Sequence, residues 1–439
     1  MARPRKNVVK DQNSLLTSDN VVEIPVEEQP YPLPEGWKWV RLGEISNIVT
    51  GSTPSKKHPE YYGGNFPFFK PSDLDAGRHV VSSSEFLTDE GKKKCRIIPS
   101  GSIGVCCIGT IGKSGYFDID CTTNQQINSV IPKCNGLYVY YYTKTLCFLY
   151  TIKKKVSATT ISIVNKSKLE TCTFPLPPID EQQRIVDRIE SLFAKLDEAR
   201  EKAEAVLDGF ESRKAAILHK AFTGELTAKW REKNGLKKEN KAIKIKDILL
   251  DIKYGTSEKS DYTYTGLPVI RIPNIIDNTI DLDDLKFLKS NDSSNYDLVE
   301  KNDILMIRSN GSRELVGKCA LVDETIVGKA YASFLIRLRP KKSVNAKYLL
   351  NFMSSSLARN QLFSKTKSSA GINNINSKEI CSVDIWLPTT EEQQEIVRTL
   401  DTFLEKERQV KEAAEDVLER IDLMKKAILA KAFRGELTR

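Results

Sequence analysis

The chain has 439 residues, 40% hydrophobic and 28% charged, with 67 Lys and Arg against 58 Asp and Glu for a net charge of +9. That length allows two or three domains with separate cores, and the mild basicity permits an acidic partner without naming one. Its nine cysteines contain no Cys-x-x-Cys pair and no zinc spacing, which excludes a patterned metal or disulfide framework and points to reduced thiols in a cytoplasm.

Residues 1–30 open Met1-Ala2-Arg3-Pro4-Arg5-Lys6 and hold no apolar core of a signal peptide, so they are expected to form a flexible arm. No run reaches the roughly 18 apolar residues of a membrane helix. From Tyr31 to Phe174 the texture is of short β-like runs between Gly, Pro, Asn and Ser: Trp37–Val40, Ile103–Ile108, Tyr116–Ile119 and Ile127–Ile131. A helix fits only around Leu137–Tyr150.

Pro175-Leu176-Pro177-Pro178 ends that texture, and a helix is expected from Asp180, with Asp180 and Gln183 as a capping box. Its apolar positions Ile185, Ile189, Leu192, Leu196, Ala199, Ala203, Val206 and Phe210 alternate in steps of four and three, a heptad seam that calls for a second helix. At 1.5 Å per residue the helix would be roughly 60 Å long. Ala228–Asn240 reads as a charged linker, and the β texture returns from Lys241 to Trp386.

A second helix then repeats the first. Leu176–Thr227 aligns without a gap on Leu387–Thr438 at a constant offset of 211, the difference between Leu387 and Leu176. Both copies carry Leu-Pro, Glu-Gln-Gln and Ile-Val, and both close on Lys-Ala-Phe-x-Gly-Glu-Leu-Thr. The second seam is Ile396, Leu400, Phe403, Val410, Ala414, Val417 and Ile421, with Glu407 as a break, and the simplest arrangement is that the two stripes cover each other. A period this long is not a solenoid unit; it marks two similar halves. The globular stretches correspond faintly: Phe66–Pro71 with Leu267–Pro273, Ile108–Lys113 with Arg308–Lys318, and Ser157–Ile161 with Ser368–Ile372.

Catalytic signatures are missing. His58, His79 and His219 stand in no ligand spacing. Gly109-Thr110-Ile111-Gly112-Lys113-Ser114 imitates a phosphate loop, but Cys107 replaces the first glycine and Gly115–Asp120 continues as turn and strand rather than helix. Asn65-Phe66-Pro67-Phe68 lacks the first proline of an amino-methyltransferase motif. No metal site is expected.

Polar loop residues are abundant instead. In the first half these are Thr53, Ser55, Lys56, Lys57, Lys70, Thr110, Lys113, Thr123, Asn124 and Gln125. In the second they are Tyr254, Lys259, Arg271, Asn274, Arg308, Asn310, Arg313 and Lys318, joined by Lys365, Lys367, Asn373 and Asn374. Arg and Lys suit guanine, Asn and Gln suit adenine, and Lys neutralises phosphate. Each alone is an ordinary loop residue; their recurrence in matching places suggests two readers on one frame. The runs Lys92–Lys94 and Lys153–Lys155 fit solvated faces as well as phosphate contacts.

The Leu176-to-Val186 motif, the repeated heptad helix with its Lys-Ala-Phe-x-Gly-Glu-Leu-Thr end, and the opening Leu33-Pro34-Glu35-Gly36-Trp37 together resemble the specificity subunit of type I DNA restriction-modification systems. The resemblance implies an α+β fold with a pseudo-twofold internal repeat. Two globular β-rich target recognition domains, 31–174 and 241–385, would be separated by two long helices, 175–227 and 386–439, packed as an antiparallel coiled coil, with 228–240 as linker. It further implies a non-catalytic cytoplasmic subunit whose domains each read half of a bipartite, non-palindromic site in double-stranded DNA. The helices would space the domains and dock two methyltransferase subunits, with restriction/translocase subunits joining them. No cofactor would be bound by this chain: S-adenosylmethionine, ATP and Mg would belong to the partners. A coiled-coil adaptor that recruits a partner without reading sequence is the alternative, and an ATPase using Lys113 a third.

Overall fold

The β-like runs pair into one sheet pattern that occurs twice in the computed structural model, which describes residues 21–156, 162–238, 242–364 and 373–437. The chain divides into two compact units, Met1–Ala203 with Asp416–Arg439, and Glu204–Glu415. Each unit holds one β-rich domain, one end of the first long helix and the opposite end of the second. The match expected between Ser157–Ile161 and Ser368–Ile372, together with Lys241, Lys365 and Lys367, lies outside the described residues.

In the first unit a four-stranded antiparallel sheet has the order Ser46–Thr50, Ile127–Pro132, Ile103–Cys106, Ser114–Tyr116. In the second the order is Leu249–Tyr254, Leu335–Pro340, Ile304–Ile307, Cys319–Leu321. The strands Ile103–Cys106 and Ile304–Ile307 are buried along their whole length, as expected of continuous apolar runs covered on both faces. A smaller three-stranded sheet sits beside each, with a parallel pair at one edge: Phe68–Phe69 beside Thr122–Thr123, and Val269–Ile270 beside Ala330–Tyr331. Two short helices follow the central strand in each domain, capped by Asn135 and Thr145 in one and by Asn345 and Ser355 in the other.

The repeated motif fastens helix to domain. Gln182 donates from Nε2 to the Pro177 carbonyl at 2.9 Å and accepts the Asn135 N–H at 3.1 Å. Gln393 does the same with the Pro388 carbonyl (2.9 Å) and the Asn345 N–H (2.8 Å). The preceding glutamates find different donors: Trp37 Nε1 donates to Glu181 at 3.0 Å, whereas Glu392 takes Thr227 Oγ1 at 2.6 Å and forms a buried ion pair with Arg231. The other end of the repeat closes the same knot. Phe433 packs on Tyr138 and Tyr142, and Phe222 on Tyr348 and Phe352. Both long helices stop at a glycine in the left-handed region, Gly224 and Gly435.

Several expectations are corrected. Of the arm expected over 1–30, residues 1–20 lie outside the described residues, and 21–30 are not flexible: Ile24 is buried in the core, its N–H is bonded to the Trp39 carbonyl at 2.9 Å, and the following Tyr31 hydroxyl donates to the Phe433 carbonyl. Ala228–Asn240 is not simply a linker, because Ala228–Lys233 is helical and Arg231 is buried on Glu392. The first helix begins at Ile179, and Gln183 bonds Asp187 and Asn135 rather than closing a capping box on Asp180. It is interrupted at Gly209, dividing Ile179–Asp208 from Phe210–Phe222; Arg213 arches over the gap, donating to the Val206 carbonyl at 3.0 Å and pairing with Glu407 at 2.8 Å. Glu407 is therefore a partner, not a break in the seam.

Helix pairing is antiparallel in each unit. In the first, Asp197 pairs with Lys425 and Arg200 with Asp422, one number rising as the other falls. In the second, Arg213 meets Glu407, and Lys411 lies 5.3 Å over the Phe210 ring. Ile185, Ile189, Ile396, Leu400 and Ile421 are buried, and Leu192, Leu196, Val206 and Phe210 half-buried. Phe403, Val410 and Val417, however, are 43%, 46% and 40% exposed. Their places on the inward side are taken by the half-buried Leu404, Lys411 and Leu418. The second helix carries apolar residues at both Phe403 and Leu404 and at both Val417 and Leu418, so a period of 3.5 alone does not choose between the rows. Among the described residues no helix is long and apolar enough to cross a membrane.

One core difference separates the units. Arg337 is completely buried, 2.8 Å from Asp297 and 3.0 Å from Asp251, with buried Asp303 held by Arg339 at 2.8 Å. The strand register puts Ser129 where Arg337 lies and Ser102 where Asp303 lies, so the first unit fills these places with buried neutral hydroxyls. Burial works against ionisation of Asp297, but hydrogen bonds from Tyr331 and Lys253 and the charge of Arg337 hold its carboxyl below the usual range.

Replacing Arg337 by Ser should strand the carboxylates and cost about 3 kcal/mol in chemical denaturation at neutral pH. Because the Asp297 carboxyl is depressed, the stability from the pair is present above the ordinary carboxylate value of about 4 and is lost as pH falls through the lower folded value, so the penalty should shrink in acid. A cost that is constant with pH would show that packing, not charge, is what Arg337 supplies. The seam is tested by a contrast: Leu400→Ala should cost about 2–5 kcal/mol and Phe403→Ser less than about 0.5, and equal losses would return Phe403 to the seam.

Candidate nucleic-acid interface

The sheet register gathers the polar loops at one end. Thr50 stands opposite Asn128 and Cys106 opposite Ile127, so two strands finish where the central one begins. The chain leaves this end in the loops 51–57 and 107–113 and arrives through 124–126. Gly51 permits the crossing, since a Cβ there would stand 2.1 Å from the Asn124 carbonyl oxygen; Gly255 is the counterpart, with the Tyr331 carbonyl oxygen at 2.2 Å.

In the first domain Thr53, Ser55, Lys56, Lys57, Thr110 and Gln125 are exposed on these loops, with Thr53 Oγ1 donating to Gln125 Oε1 at 2.5 Å. Lys70 and Lys113 are already paired, with Glu85 at 2.8 Å and Asp75 at 2.6 Å. The Gly109–Lys113 segment is a turn between strands, and the Lys113 N–H closes it on the Thr110 carbonyl. Thr123 and Asn124 are buried: Thr123 lies in the parallel strand pair, and Asn124 folds onto Gln126. Those two belong to the frame and are removed from the reading set.

In the second domain Tyr254 ends one of the equivalent strands and Arg308 directly follows the other, and Ser309-Asn310 pairs with Asn373-Asn374. The Arg308 guanidinium stacks 4.7 Å from the Tyr254 ring centre. Asn310 accepts the Ser312 N–H at 2.8 Å, shaping the hairpin that carries the exposed Arg313 and Lys318. Lys259 is exposed. Arg271 turns back to Asp284 at 2.9 Å; the Tyr262 hydroxyl and Arg271 together hold the Asp284 carboxyl below the usual range. Asn274 is buried, its amide donating to the Asp281 and Asp284 carbonyls, so it too belongs to the frame.

Arg96 in the first domain and Phe334 in the second, absent from the sequence reading, add to these loop ends, and Lys92 of the lysine run joins them. Arg96 donates to the Thr50 carbonyl at 2.7 Å, and Lys92 lies 4.2 Å over the Phe66 ring. Phe334, 56% exposed, sits where the Arg308 N–H bonds its carbonyl. The run Lys92–Lys94 was the one signal available, but nothing in its spacing shows that aromatic rings lie beneath it. Among the described residues no group of three His, Cys, Asp or Glu is placed to hold a metal ion. The arrangement offers cations, amides and exposed aromatic faces on loops braced by a sheet, which suits contact with phosphates and base edges.

The family described as the type I restriction modification DNA specificity domain matches residues 34–206 and 237–420. The type I restriction enzyme EcoKI specificity subunit of Escherichia coli (strain K12) is 27% identical over 92% of this chain and 90% of its own length. The EcoBI specificity subunit of Escherichia coli is 28% identical over 92% and 87%. In fold the chain is similar to the HsdS subunit of Thermoanaerobacter tengcongensis, with a TM-score of 0.63, 21% identity, and 93% and 99% of the two chains covered. A chain from a structural study of complex assembly in the type I R-M system gives 0.72, 22% identity, and 93% and 100%. With the family matching both halves, the chain belongs to the specificity subunits of type I restriction-modification systems.

Proposed function

We propose that each β-rich domain reads one half of a bipartite site in double-stranded DNA and that the two long helices set the gap between the halves. The observation that carries this is the duplication of one sheet end with different side chains on it. Each copy is fastened by the same Gln latch to one start and one end of the long helices. Different loops on one frame predict unequal half-sites, and so a non-palindromic target.

As a specificity subunit the chain selects DNA for partners that modify or cut it. S-adenosylmethionine chemistry belongs, in this reading, to two methyltransferase subunits, and ATP and Mg to restriction/translocase subunits, all acting in the cytoplasm. Phe403 and Val410, left outside the seam, give one helix an apolar outer face available to such partners.

The spacing role is tested with the assembled complex and a library of duplexes carrying the half-sites at every gap. A heptad added to both helices at facing positions lengthens each by about 10 Å, close to three base pairs at 3.4 Å each. The selected gap should lengthen by that amount with the half-sites unchanged; an unchanged gap would sink the idea. Lys56→Ala with Lys57→Ala should weaken every duplex alike and reduce the salt dependence of binding by about two counterions. A change of preferred bases would instead make these lysines readers.

A further inference from the structure

Arg308 is braced by backbone carbonyls and an aromatic ring, where Lys70, Lys113 and Arg271 are taken up by carboxylates. Its N–H bonds the Phe334 carbonyl at 2.9 Å and its carbonyl accepts the Ile375 N–H at 2.8 Å, so its backbone is fixed on both sides. Nη1 donates to the Ser333 carbonyl at 3.2 Å, and the guanidinium lies on the Tyr254 ring. Nε is sealed from solvent without an acceptor, although the residue as a whole is half-buried. Among the described residues no acceptor is bonded to Nη2.

Tyr254 is itself immobilised. Its hydroxyl donates to Ser377 Oγ at 3.1 Å and accepts the Ser377 N–H at 2.9 Å. The ring is thereby a fixed shelf, and a guanidinium stacked on it presents its edge in one plane. Among the described residues Arg308 has no ion pair like those that occupy Lys70, Lys113 and Arg271. In the first domain the register puts Thr50 where Tyr254 stands and the buried Cys107 where Arg308 stands, so the device is confined to one domain.

We infer that Arg308 reads a guanine in the half-site of the second recognition domain and that Tyr254 is its positioning residue, an inference that rests on the chain acting as a DNA specificity subunit. The terminal edge of the fork, Nη2 with the remaining N–H of Nη1, matches the O6 and N7 acceptors of guanine, which adenine does not offer together. Lysine, a point charge on a flexible stem, matches neither the stacking nor the fork.

The experiment is the methylated motif of host DNA, read with the whole complex carrying wild-type chain, Arg308→Ala, Arg308→Lys, Tyr254→Leu or Tyr254→Phe. The wild type should yield a bipartite motif with a guanine that Arg308→Ala relaxes roughly 10- to 100-fold in preference over adenine, leaving the other half-site and the gap unchanged. Tyr254→Leu should relax the same position, and Tyr254→Phe, which keeps the ring, should retain most of the preference. If Arg308→Ala fails to assemble, Arg308→Lys decides, since it keeps the charge and should still blur that one guanine. Unaltered motifs, a uniform loss at all sites by an assembled variant, or relaxation at different positions by Arg308 and Tyr254 variants would overturn the inference. Absence of any bipartite motif from the wild type would instead overturn the underlying reading of the chain.

Discussion

The glutamine at the start of each long helix is the contact on which the rest depends. Gln182 and Gln393 are buried amides that join a helix start, a proline carbonyl and the cap of a domain helix at once. A buried amide must be satisfied on both its oxygen and its nitrogen, so substitution leaves polar groups stranded and costs more than the bonds gained. The adjacent Glu181 and Glu392 tighten the constraint while accepting different donors, Trp37 in one unit and Arg231 with Thr227 in the other. The sequence repeat is thus kept where both partners of a buried contact would have to change together.

Away from the latch the two domains have drifted by physically different routes. Opposite the same register position, one unit has buried serines and the other Arg337 among Asp251, Asp297 and Asp303. A buried ion cluster can match an uncharged one in stability only when its charges are answered; carboxylates from three neighbouring segments surround Arg337, while its Nη1 and Asp251 Oδ1 keep no hydrogen bond. The scaffold accepts such exchanges because strand order and parallel edge pairs, rather than particular core residues, fix where the loops emerge.

What could be seen in the sequence follows from this division. The two long helices and the repeated motif have periodicity or spacing and emerge as expected, except that the first helix breaks at Gly209 and part of the second seam shifts by one residue. The choice between Phe403 and Leu404 was not legible, because it is made by Arg213 and Phe210 on the other helix. The reading surface was legible only as loops. Lys70, Lys113 and Arg271 look like free cations until Glu85, Asp75 and Asp284 arrive from elsewhere in the chain. Asn274, Asn124 and Thr123 look like readers but are turn and strand residues, because short polar side chains serve backbone groups as readily as base edges.

The same comparison shows why exposure alone is a poor guide to specificity. Lys56, Lys57 and Lys259 are exposed on flexible stems, so in the proposed reading they deliver charge wherever a phosphate lies and distinguish little between sequences. Discrimination between bases needs a donor pattern whose geometry is fixed before contact, since a side chain that must be ordered on binding adjusts to the wrong base as well as to the right one. Arg308 and Tyr254 meet that requirement through backbone bonds, a stacked ring and a doubly bonded hydroxyl. In the proposed reading, affinity and sequence choice fall to different residues, the loose cations of both domains supplying the first and the braced arginine of the second domain the second.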